Sequence, residues 1–228
     1  MIEAVATLTV KRDTPRPSPE LLDLFRGAMT GHLVDCMNGR GALIPAIKPQ
    51  QADLATICGP ALTVHCYPAD NLALLAATAL VQRGDVVVCS TDGFGAAALT
   101  GDLLAGMLKN AGAAGLVTDG TIRDQDGVEA VGLPIFHTGV TPNSPASVGP
   151  GEIGMPILCG GYPVSTGDIV VGDRDGIVII PMDQAEAVFE KLQRVRAAET
   201  ELEAKVKGGL TTPDHIRALL ASDQVRWS

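Results

Sequence analysis

Apolar strand-like segments alternate with helix-like segments between about residues 60 and 140, and this alternation limits the possible folds more than any other sequence feature. The segments "ATICGPALTVHCY", "GDVVVCS", "AGLVTDG" and "LPIFHTG" are typical of strands. Between them lie "ADNLALLAATALVQ", with Asp70 as its predicted cap, "DLLAGMLKNAG" and a short helix near "QDGVEAVG". Helices of this kind connect parallel strands by right-handed crossovers. The sequence therefore predicts an α/β fold with a mostly parallel central sheet.

The flanking segments predict the remaining elements. The Pro-rich "TPRPSPE" introduces an amphipathic helix in "ELLDLFRGAM". Two apolar runs joined by "GDRDG" predict an antiparallel hairpin. From Asp183 onward we expect a long charged helix that ends near Gly208, and then a shorter one in "PDHIRALLASD". Because no linker or repeat divides the chain, we predict one domain over residues 1–228, with a C-terminal helical extension from about residue 183.

Composition and charge restrict the possible partners. A formal net charge of −9 argues against nucleic acid, which binds through basic surfaces. Charged residues make up only 19% of the chain, so we expect part of the surface to be buried against other copies. Five scattered cysteines without zinc-site spacing are typical of reduced core residues in a cytoplasmic protein. We expect no membrane partner, because there is neither a signal-like apolar segment at the N-terminus nor a run of about 18 apolar residues.

Charged side chains concentrate after two of the predicted strands. Asp102 follows "VVVCS" and its loop, whereas Asp119, Arg123 and Asp124 follow "GLVT". Taken singly, they fit a helix cap, two turn residues and a surface cation. Because ligands bind at the carboxyl ends of parallel strands, adjacent strands would place them in one crevice. Together they indicate a site for Mg²⁺ or Mn²⁺, which prefer carboxylate oxygens and water.

The predicted helix start beside Asp102 is a second ligand-binding feature. A helix that begins after Gly101 exposes backbone N–H groups, including those of Leu103 and Leu104. Such groups favour a carboxylate or a phosphate. We therefore predict that an anionic small molecule binds beside the two aspartates.

These residues also form a recognisable pattern. Asp102, twenty intervening residues and Arg123-Asp124 match a D-x20-R-D signature, accompanied in order by "ADNLALL", "GDLL", "GLVTDGTIRD" and "PVSTGDIVVGDRDGIVIIP". Over roughly residues 20–205 the chain resembles the family that contains the regulator of ribonuclease E activity and the 4-hydroxy-4-methyl-2-oxoglutarate aldolases. The resemblance implies an α-β-β-α sandwich related to swivelling phosphohistidine domains. It also implies assembly as homotrimers or homohexamers.

The resemblance assigns roles to the charged residues. The aldolase branch uses a divalent metal to cleave 4-hydroxy-2-oxo diacids to pyruvate and a second oxoacid, and to decarboxylate oxaloacetate. Carried over, Asp124 would ligate Mg²⁺ or Mn²⁺ directly, and Asp102 would hold a metal-bound water. Arg123 would contact the keto or enolate oxygen. The substrate carboxylate would bind at the helix start, at Gly101, Leu103 and Leu104.

The general base has one candidate. The crevice motifs contain no histidine, because His65 and His137 fit ordinary strand positions. The resemblance implies that an acidic residue of a neighbouring subunit completes the site. We predict Glu199, on the long helix, for this role, although Glu199 and Glu203 also fit a solvated helical face.

Three functions remain open from the sequence. The carboxylate pair favours a metal-dependent lyase that acts on an oxoacid. A non-catalytic protein that binds and regulates a ribonuclease is the alternative from another class. An aldolase-like enzyme for a different oxoacid is the third.

Overall fold

The computed structural model describes residues 6–228, which form fourteen strands and seven α-helices. The strands are β1 (Leu8–Val10), β2 (Lys48–Pro49), β3 (Ile57–Cys66), β4 (Val86–Ser90), β5 (Ala98–Thr100), β6 (Gly115–Thr118), β7 (Thr121–Ile122), β8 (Ile135–His137), β9 (Gly139–Val140), β10 (Gly151–Ile153), β11 (Ile157–Cys159), β12 (Tyr162–Val164), β13 (Ile169–Asp173) and β14 (Gly176–Ile180). The helices are α1 (Pro19–Asp23), α2 (Thr30–Cys36), α3 (Leu72–Ala77), α4 (Asp102–Ala111), α5 (Gln125–Val131), α6 (Ala185–Lys207) and α7 (Asp214–Leu220).

The central sheet is built on four parallel strands in the order β3, β4, β6, β8. Two short strands pair antiparallel with this unit: β10 with β3 and β2 with β8. The predicted parallel sheet is therefore confirmed. Because β4 pairs directly with β6, the two strands that precede the charged motifs are neighbours, which is the condition for both motifs to face one crevice.

A second sheet branches from the first half of β3. Ala61–His65 of β3 pair with β4, whereas Ile57–Pro60 pair antiparallel with β13. Strand β13 continues into β14 through the turn between Asp173 and Gly176, which confirms the hairpin predicted from "GDRDG". The ten-residue strand β3 therefore belongs to both sheets.

Three stacked apolar cores separate four layers. On β4, Val87 contributes to a core with α3, α4 and α5, whereas its neighbour Val88 contributes to a core with the second sheet. On β13, Val170 faces the same second core, and Val171 faces a third core with α2 and α6. Successive strand residues point to opposite faces, so a strand covered on both sides has a continuous apolar sequence. The α-β-β-α sandwich is confirmed.

The N-terminal helical region differs from the prediction. The helix predicted over "ELLDLFRGAM" ends at Asp23, and Gly27 adopts a left-handed φ of 69° that interrupts the helical path. A separate helix, α2, then begins at Thr30, and the sequence analysis did not predict this helix. The Thr30 N–H, the first of α2, donates to Asp173 Oδ2 at 2.8 Å. Asp173 lies 143 residues further along the chain, so this contact exists only in the folded protein.

Helix α3 is shorter than predicted. The predicted capping residue Asp70 does accept a hydrogen bond from Leu72 N–H at 2.8 Å, but the helix ends at Ala77. A few residues later, the Asp85 carboxylate accepts the Gln82 N–H at 2.8 Å and draws the chain into a turn before β4.

The two helices predicted near the C-terminus are present. Helix α6 covers Ala185–Lys207, and α7 follows after a turn. Val188 and Leu192 of α6 are buried in the third core, whereas Leu202 and Val206 further along the helix are exposed. Within residues 6–228, no helix is long and apolar enough to cross a membrane.

An ion pair ties the Pro-rich N-terminal segment to the central sheet. Asp85, directly before β4, is fully buried, and its Oδ2 accepts from Arg16 Nη2 at 2.8 Å. A second contact joins Arg16 Nη1 to Asp85 Oδ1. This hydrogen-bonded pairing raises the pKa of Arg16 further above its ordinary value.

We expect Asp85→Asn to lower the free energy of unfolding by about 2–4 kcal/mol, because it breaks a buried pair and leaves Arg16 without its counter-charge. Urea denaturation followed by circular dichroism measures this change. Asp223→Asn, at an exposed carboxylate, is the control and should change the free energy by less than about 0.5 kcal/mol. Equal effects of the two substitutions would contradict the proposed structural role.

Candidate active site

A small sheet that the sequence did not predict brings the two charged motifs together. Strands β5, β7 and β9 pair in parallel beside the central sheet. Strand β5 ends at Thr100, one residue before the cap of α4, and β7 ends directly before Arg123. The Arg123 N–H donates to the Thr100 carbonyl at 3.0 Å. This pairing places the start of α4 against the start of α5.

A cavity of about 110 Å³ lies at this junction. Its charged lining consists of Asp102, Arg123 and Asp124. Its uncharged lining consists of Asn71, Thr100, Gly101, Leu103, Leu104 and Pro145. The structure therefore brings the predicted site residues Gly101, Asp102, Leu103, Leu104, Arg123 and Asp124 into one cavity, whereas Asp119 and Glu199 do not line it.

Asp124 lies where the backbone turns between β7 and α5. It has φ 58° and ψ 47°, a left-handed conformation that aspartate and asparagine tolerate better than most residues. Its side chain is 44% exposed, and its Oδ2 accepts from Arg123 Nε at 3.2 Å. The carboxylate lies directly against Gly101, where an added Cβ would overlap Oδ2. Glycine at position 101 is therefore required for this approach.

Asp102 occupies the first turn of α4, and its carboxylate contacts two elements. Its Oδ1 accepts from the Leu103 N–H at 2.7 Å. Its Oδ2 packs against α5, where a Cβ on Gly127 would lie only 2.7 Å away. The first helical hydrogen bond of α4 is made by the Ala105 N–H, so the Leu104 N–H has no acceptor within the helix. A ligand carboxylate could bind Leu104 directly but would compete with Asp102 for the Leu103 N–H.

Arg123 is held at the cavity by two side chains. Besides its contact with Asp124, its Nη1 donates to Ser144 Oγ at 2.5 Å. The side chain is 37% exposed, so the guanidinium remains accessible to a ligand. Sequence reasoning missed Ser144, because it lies in a loop with no catalytic motif of its own.

The loop of residues 141–150, here called the wall loop, forms one side of the cavity. Hydrogen bonds to Asp70 and Asn71 hold it in place. The buried Asp70 Oδ2 accepts from Val148 N–H at 2.7 Å and from Gly149 N–H at 3.0 Å. Asn71 Oδ1 lies 2.5 Å from Ser147 Oγ. The "ADN" segment therefore holds the wall loop in place and also contributes Asn71 to the cavity. The sequence signal that could have identified Asn71 is this same motif.

Asp119 lies outside the cavity and stabilises the end of a neighbouring strand. It is buried at the end of β6, where its Oδ1 accepts from Thr91 N–H at 2.7 Å. Its Oδ2 accepts from Ser90 Oγ at 3.3 Å. Asp119 therefore fixes the end of the neighbouring strand β4, and it does not line the cavity that contains Asp102 and Asp124.

Glu199 lies apart from the cavity within its own chain. It is on α6, in the outer helical layer opposite α4 and α5, and its Oε2 is 2.5 Å from His32 Nε2 of α2. The prediction that Glu199 completes the site of an adjacent copy concerns an assembly, and it stays a prediction.

The strand histidines have local partners, as predicted. His137 Nε2 lies 2.9 Å from Gln50 Oε1, and its Nδ1 accepts from Gly139 N–H at 3.0 Å. Burial lowers the pKa of His137. His65 Nε2 is 3.1 Å from Asp92 Oδ2. Neither histidine lines the cavity.

The cavity contains no cysteine or lysine that could act as a covalent nucleophile. All five cysteines are free, and four of them are buried, which agrees with their predicted core positions. Burial raises the pKa of Cys58 to about 11 and that of Cys89 well above the ordinary value. No lysine lines the cavity, so a Schiff base has no candidate. The chemistry available there is electrostatic.

The donor set fits a hydrated divalent cation. Asp102 and Asp124 present carboxylate oxygens at a water-accessible surface. Residues 6–228 contain no cluster of three or more His, Cys, Asp or Glu side chains that could enclose an ion. Mg²⁺ commonly binds one or two carboxylates and completes its coordination with water and ligand oxygens. The two aspartates could therefore hold Mg²⁺ or Mn²⁺ without further protein ligands.

The fold and the cavity together define a four-layered α/β protein with an acidic, Arg-containing pocket at a helix N-terminus. The chain belongs to the RraA-like family, whose model, described as Aldolase/RraA, matches residues 30–179. The family resemblance inferred from the motifs is therefore confirmed.

Three relatives of this chain are named either as an aldolase or as members of the RraA family. A protein of Halalkalibacterium halodurans described as "Putative 4-hydroxy-4-methyl-2-oxoglutarate aldolase" is 37% identical over 201 residues, which cover 88% of this chain and 94% of that protein. The structure of Streptomyces coelicolor RraAS2, described as an unusual member of the RNase ES inhibitor RraA family, matches with a TM-score of 0.75 and 29% identity, over 83% of this chain and 100% of that one. The RNA-processing inhibitor RraA from a Thermus species matches with a TM-score of 0.62 and 27% identity, over 68% and 93% of the two chains.

We expect Gly101→Ala to weaken Mn²⁺ binding at least about tenfold, a cost of about 1.4 kcal/mol. The new Cβ would displace the Asp124 carboxylate, whereas the extended backbone at Gly101 itself tolerates alanine. Calorimetric titration with Mn²⁺ measures the affinity. Gly106→Ala in the same helix is the matched control, because its Cβ would meet only Val131 Cγ2 at 3.9 Å. Unchanged Mn²⁺ affinity in Gly101→Ala would remove Asp124 from the cation site.

Proposed function

We propose that this protein is a divalent-metal-dependent lyase that cleaves a 4-hydroxy-2-oxo diacid to pyruvate and a second oxoacid. The observation that carries the proposal is the convergence of Asp102, Arg123 and Asp124 on one cavity at the start of α4. The name of the Halalkalibacterium relative supports it and indicates 4-hydroxy-4-methyl-2-oxoglutarate as the first substrate to test. We propose decarboxylation of oxaloacetate as a second activity of the same site.

The residues suit the charge that develops in this reaction. When the C3–C4 bond breaks, its electron pair moves toward the C2 oxygen and forms the enolate of pyruvate. A bound divalent cation would supply a Lewis acid at that oxygen. The Arg123 guanidinium, which stays protonated, donates hydrogen bonds to the same developing charge. Ser144 fixes the direction of the guanidinium before the substrate binds.

The start of α4 provides the binding site for the substrate carboxylate. The Leu104 N–H points from the first turn without a helical acceptor, and the aligned peptide dipoles of α4 favour an anion at this end. The carboxylate of the pyruvoyl group would bind there, beside Arg123. This arrangement fixes the C2 oxygen near both the guanidinium and the two aspartates.

A base must also accept the proton of the C4 hydroxyl. No histidine lines the cavity, so we propose that a water molecule held at Asp102 receives this proton. We further propose that the chain assembles as trimers or pairs of trimers, and that Glu199 of a neighbouring copy orients this water.

A regulatory role is the second candidate. Of the RraA structures with which this chain shares its fold, the Thermus protein is described as an RNA-processing inhibitor and the Streptomyces protein as an unusual member of an RNase ES inhibitor family. A surface that only binds another protein has no physical need for two carboxylates and a guanidinium around a small cavity, and we therefore favour the lyase.

We expect Asp124→Asn to reduce metal-dependent release of pyruvate at least about 100-fold, because the substitution removes one charged ligand oxygen from the site. Asparagine also tolerates the left-handed backbone at this position, so the fold should persist. A coupled assay for pyruvate, with 4-hydroxy-4-methyl-2-oxoglutarate or oxaloacetate and with or without Mg²⁺, measures the activity.

The matched control for this experiment is Asp53→Asn, at an exposed carboxylate outside the cavity, which should retain full activity. If the unmodified protein releases no pyruvate from any 4-hydroxy-2-oxo acid in the presence of Mg²⁺, the lyase proposal is wrong and the regulatory role becomes the better explanation.

We expect Arg123→Lys to lower kcat by about 100-fold or more, although the charge is kept. A lysine ammonium cannot contact Ser144, Asp124 and a planar enolate together, as the guanidinium does. Steady-state kinetics separate the two possible roles, because a loss confined to KM would indicate substrate binding alone. Arg194→Lys, on the exposed face of α6, is the control. Near-normal values of both constants in Arg123→Lys would exclude Arg123 from the reaction.

A further inference from the structure

We propose that His32 is a positioning residue of the lyase, which holds the Glu199 carboxylate so that it serves the cavity of a neighbouring copy. This inference rests on the proposed lyase function and on the proposed role of Glu199, and it adds the residue that fixes Glu199 for that role. The geometry behind it is a contact between α2 and α6, in which His32 Nε2 lies 2.5 Å from Glu199 Oε2. Neither residue lines the cavity of its own chain.

Glu199 is held differently from the glutamates that follow it on α6. Glu201 pairs with Lys205 and Glu203 pairs with Lys207, each at 2.6 Å and one helical turn apart. Pairs of this kind are typical of a solvated helical face. Glu199 instead contacts a side chain of another helix, and that side chain is only 12% exposed. A solvated row of charges does not account for this contact, which therefore favours a specific role for Glu199.

The burial of the imidazole determines what His32 can do. A carboxylate oxygen only accepts hydrogen bonds, so His32 Nε2 donates to Glu199. His32 Nδ1 is buried and has no hydrogen-bond partner among residues 6–228. A proton relay through the ring would need a partner at Nδ1 to pass the proton onward. His32 therefore acts as a fixed hydrogen-bond donor and not as a proton carrier.

The contact leaves one oxygen of the Glu199 carboxylate for a ligand. In the described part of the chain, the contact with His32 engages Oε2, and the Glu199 side chain is still 56% exposed. A glutamate that is anchored through one oxygen loses less rotamer freedom when its other oxygen binds a water molecule. His32 therefore orients Glu199 before any ligand binds.

The pair can reach only the cavity of another copy. Helix α6 packs in the third core, and both sheets separate it from α4, which packs in the first core. Leu202 and Val206 follow Glu199 on the same face of the helix, and both are exposed. Apolar side chains beside Glu199 favour contact of this face with a second copy of the chain. In that copy, Arg123 and the start of α4 attract a carboxylate.

Cleavage and decarboxylation differ in the step that Glu199 would serve. In cleavage, the C3–C4 bond breaks, its electron pair forms the pyruvate enolate, and the C4 hydroxyl proton moves to the water that Glu199 orients. In decarboxylation of oxaloacetate, the C4 carboxylate leaves as carbon dioxide, and no hydroxyl proton is removed. In both reactions the enolate then takes a proton from water at C3. Loss of the His32 contact should therefore slow cleavage and spare decarboxylation.

We expect His32→Asn to lower kcat for cleavage of 4-hydroxy-4-methyl-2-oxoglutarate at least about tenfold with little change in KM, because the shorter side chain does not reach Glu199. Decarboxylation of oxaloacetate should stay within about twofold of its unmodified rate. His32→Gln places an amide N–H near the position of Nε2 and should restore cleavage to within about threefold. His215→Asn, at an exposed histidine of α7, is the control and should change neither reaction.

A merely structural role of His32 gives a different result. Damage to the fold or the assembly would lower cleavage and decarboxylation equally, and this outcome would overturn the inference. Unchanged cleavage in His32→Asn would also overturn it, as would equal losses in His32→Asn and His32→Gln, because glutamine keeps the donor. If His32→Asn does not fold, Glu199→Gln takes its place, since this side chain is largely exposed. A selective loss of cleavage then supports the inference, and a loss of both reactions or of neither contradicts it.

Mixed oligomers test whether the pair acts on a neighbouring copy. His32→Asn and Asp124→Asn chains with different affinity tags are produced together, and oligomers that contain both are purified. In a mixed trimer, one site combines an intact Asp124 with an intact pair from the next copy, so we expect about one third of the unmodified cleavage activity. His32→Asn mixed with Glu199→Gln is the matched control, because no copy then has an intact pair. Equal activity of the two mixtures would overturn the inference.

A separate measurement distinguishes failure of the lyase function from failure of this inference. Enolate formation exchanges the methyl protons of pyruvate with deuterated water, which nuclear magnetic resonance detects without a second product. If Mg²⁺-dependent exchange and cleavage are both absent in the unmodified protein, the lyase function is wrong, and the inference falls with it. If the unmodified protein catalyses both and His32→Asn cleaves normally, only the role of His32 is wrong.

Discussion

The pairing of β3 with three other strands is the constraint on which the architecture depends. One half of this strand continues the parallel sheet through β4, and the other half starts the second sheet through β13. Near its end it also pairs with β10, which follows the wall loop. Because both faces of the central sheet are covered, side chains from one strand enter two different cores. The two sheets therefore stack without a separate linker.

The site depends on close backbone approach at the edge of this framework. Strands β5 and β7 bring the start of α4 against the start of α5, and two glycines allow the carboxylates to fit between them. Asp124 lies against Gly101, and Asp102 lies against Gly127. The wall loop closes the remaining side through Asp70 and Ser144. The geometry of the charged groups is thus fixed before any ligand binds, which is a condition for electrostatic catalysis.

An acidic protein that binds an anionic substrate requires local positive charge. The net charge of −9 opposes an oxoacid at long range, and the cavity counters it with Arg123 and the N-terminal end of α4. A divalent cation at the two aspartates would add to this attraction. The regulatory proteins that share the fold show that the fold alone does not decide the activity.

The sequence by itself determined the parallel sheet, the hairpin, the C-terminal helices and the part of the cavity formed by Asp102, Arg123, Asp124 and the start of α4. These features depend on local apolar periodicity, turn chemistry and a motif of fixed spacing, all of which are readable along the chain. Only the tertiary structure decided that α2 begins at Thr30, that Asp119 turns away from the cavity, and that Ser144 holds Arg123. Each depends on a hydrogen bond between residues far apart in the chain, for which local sequence has no signal.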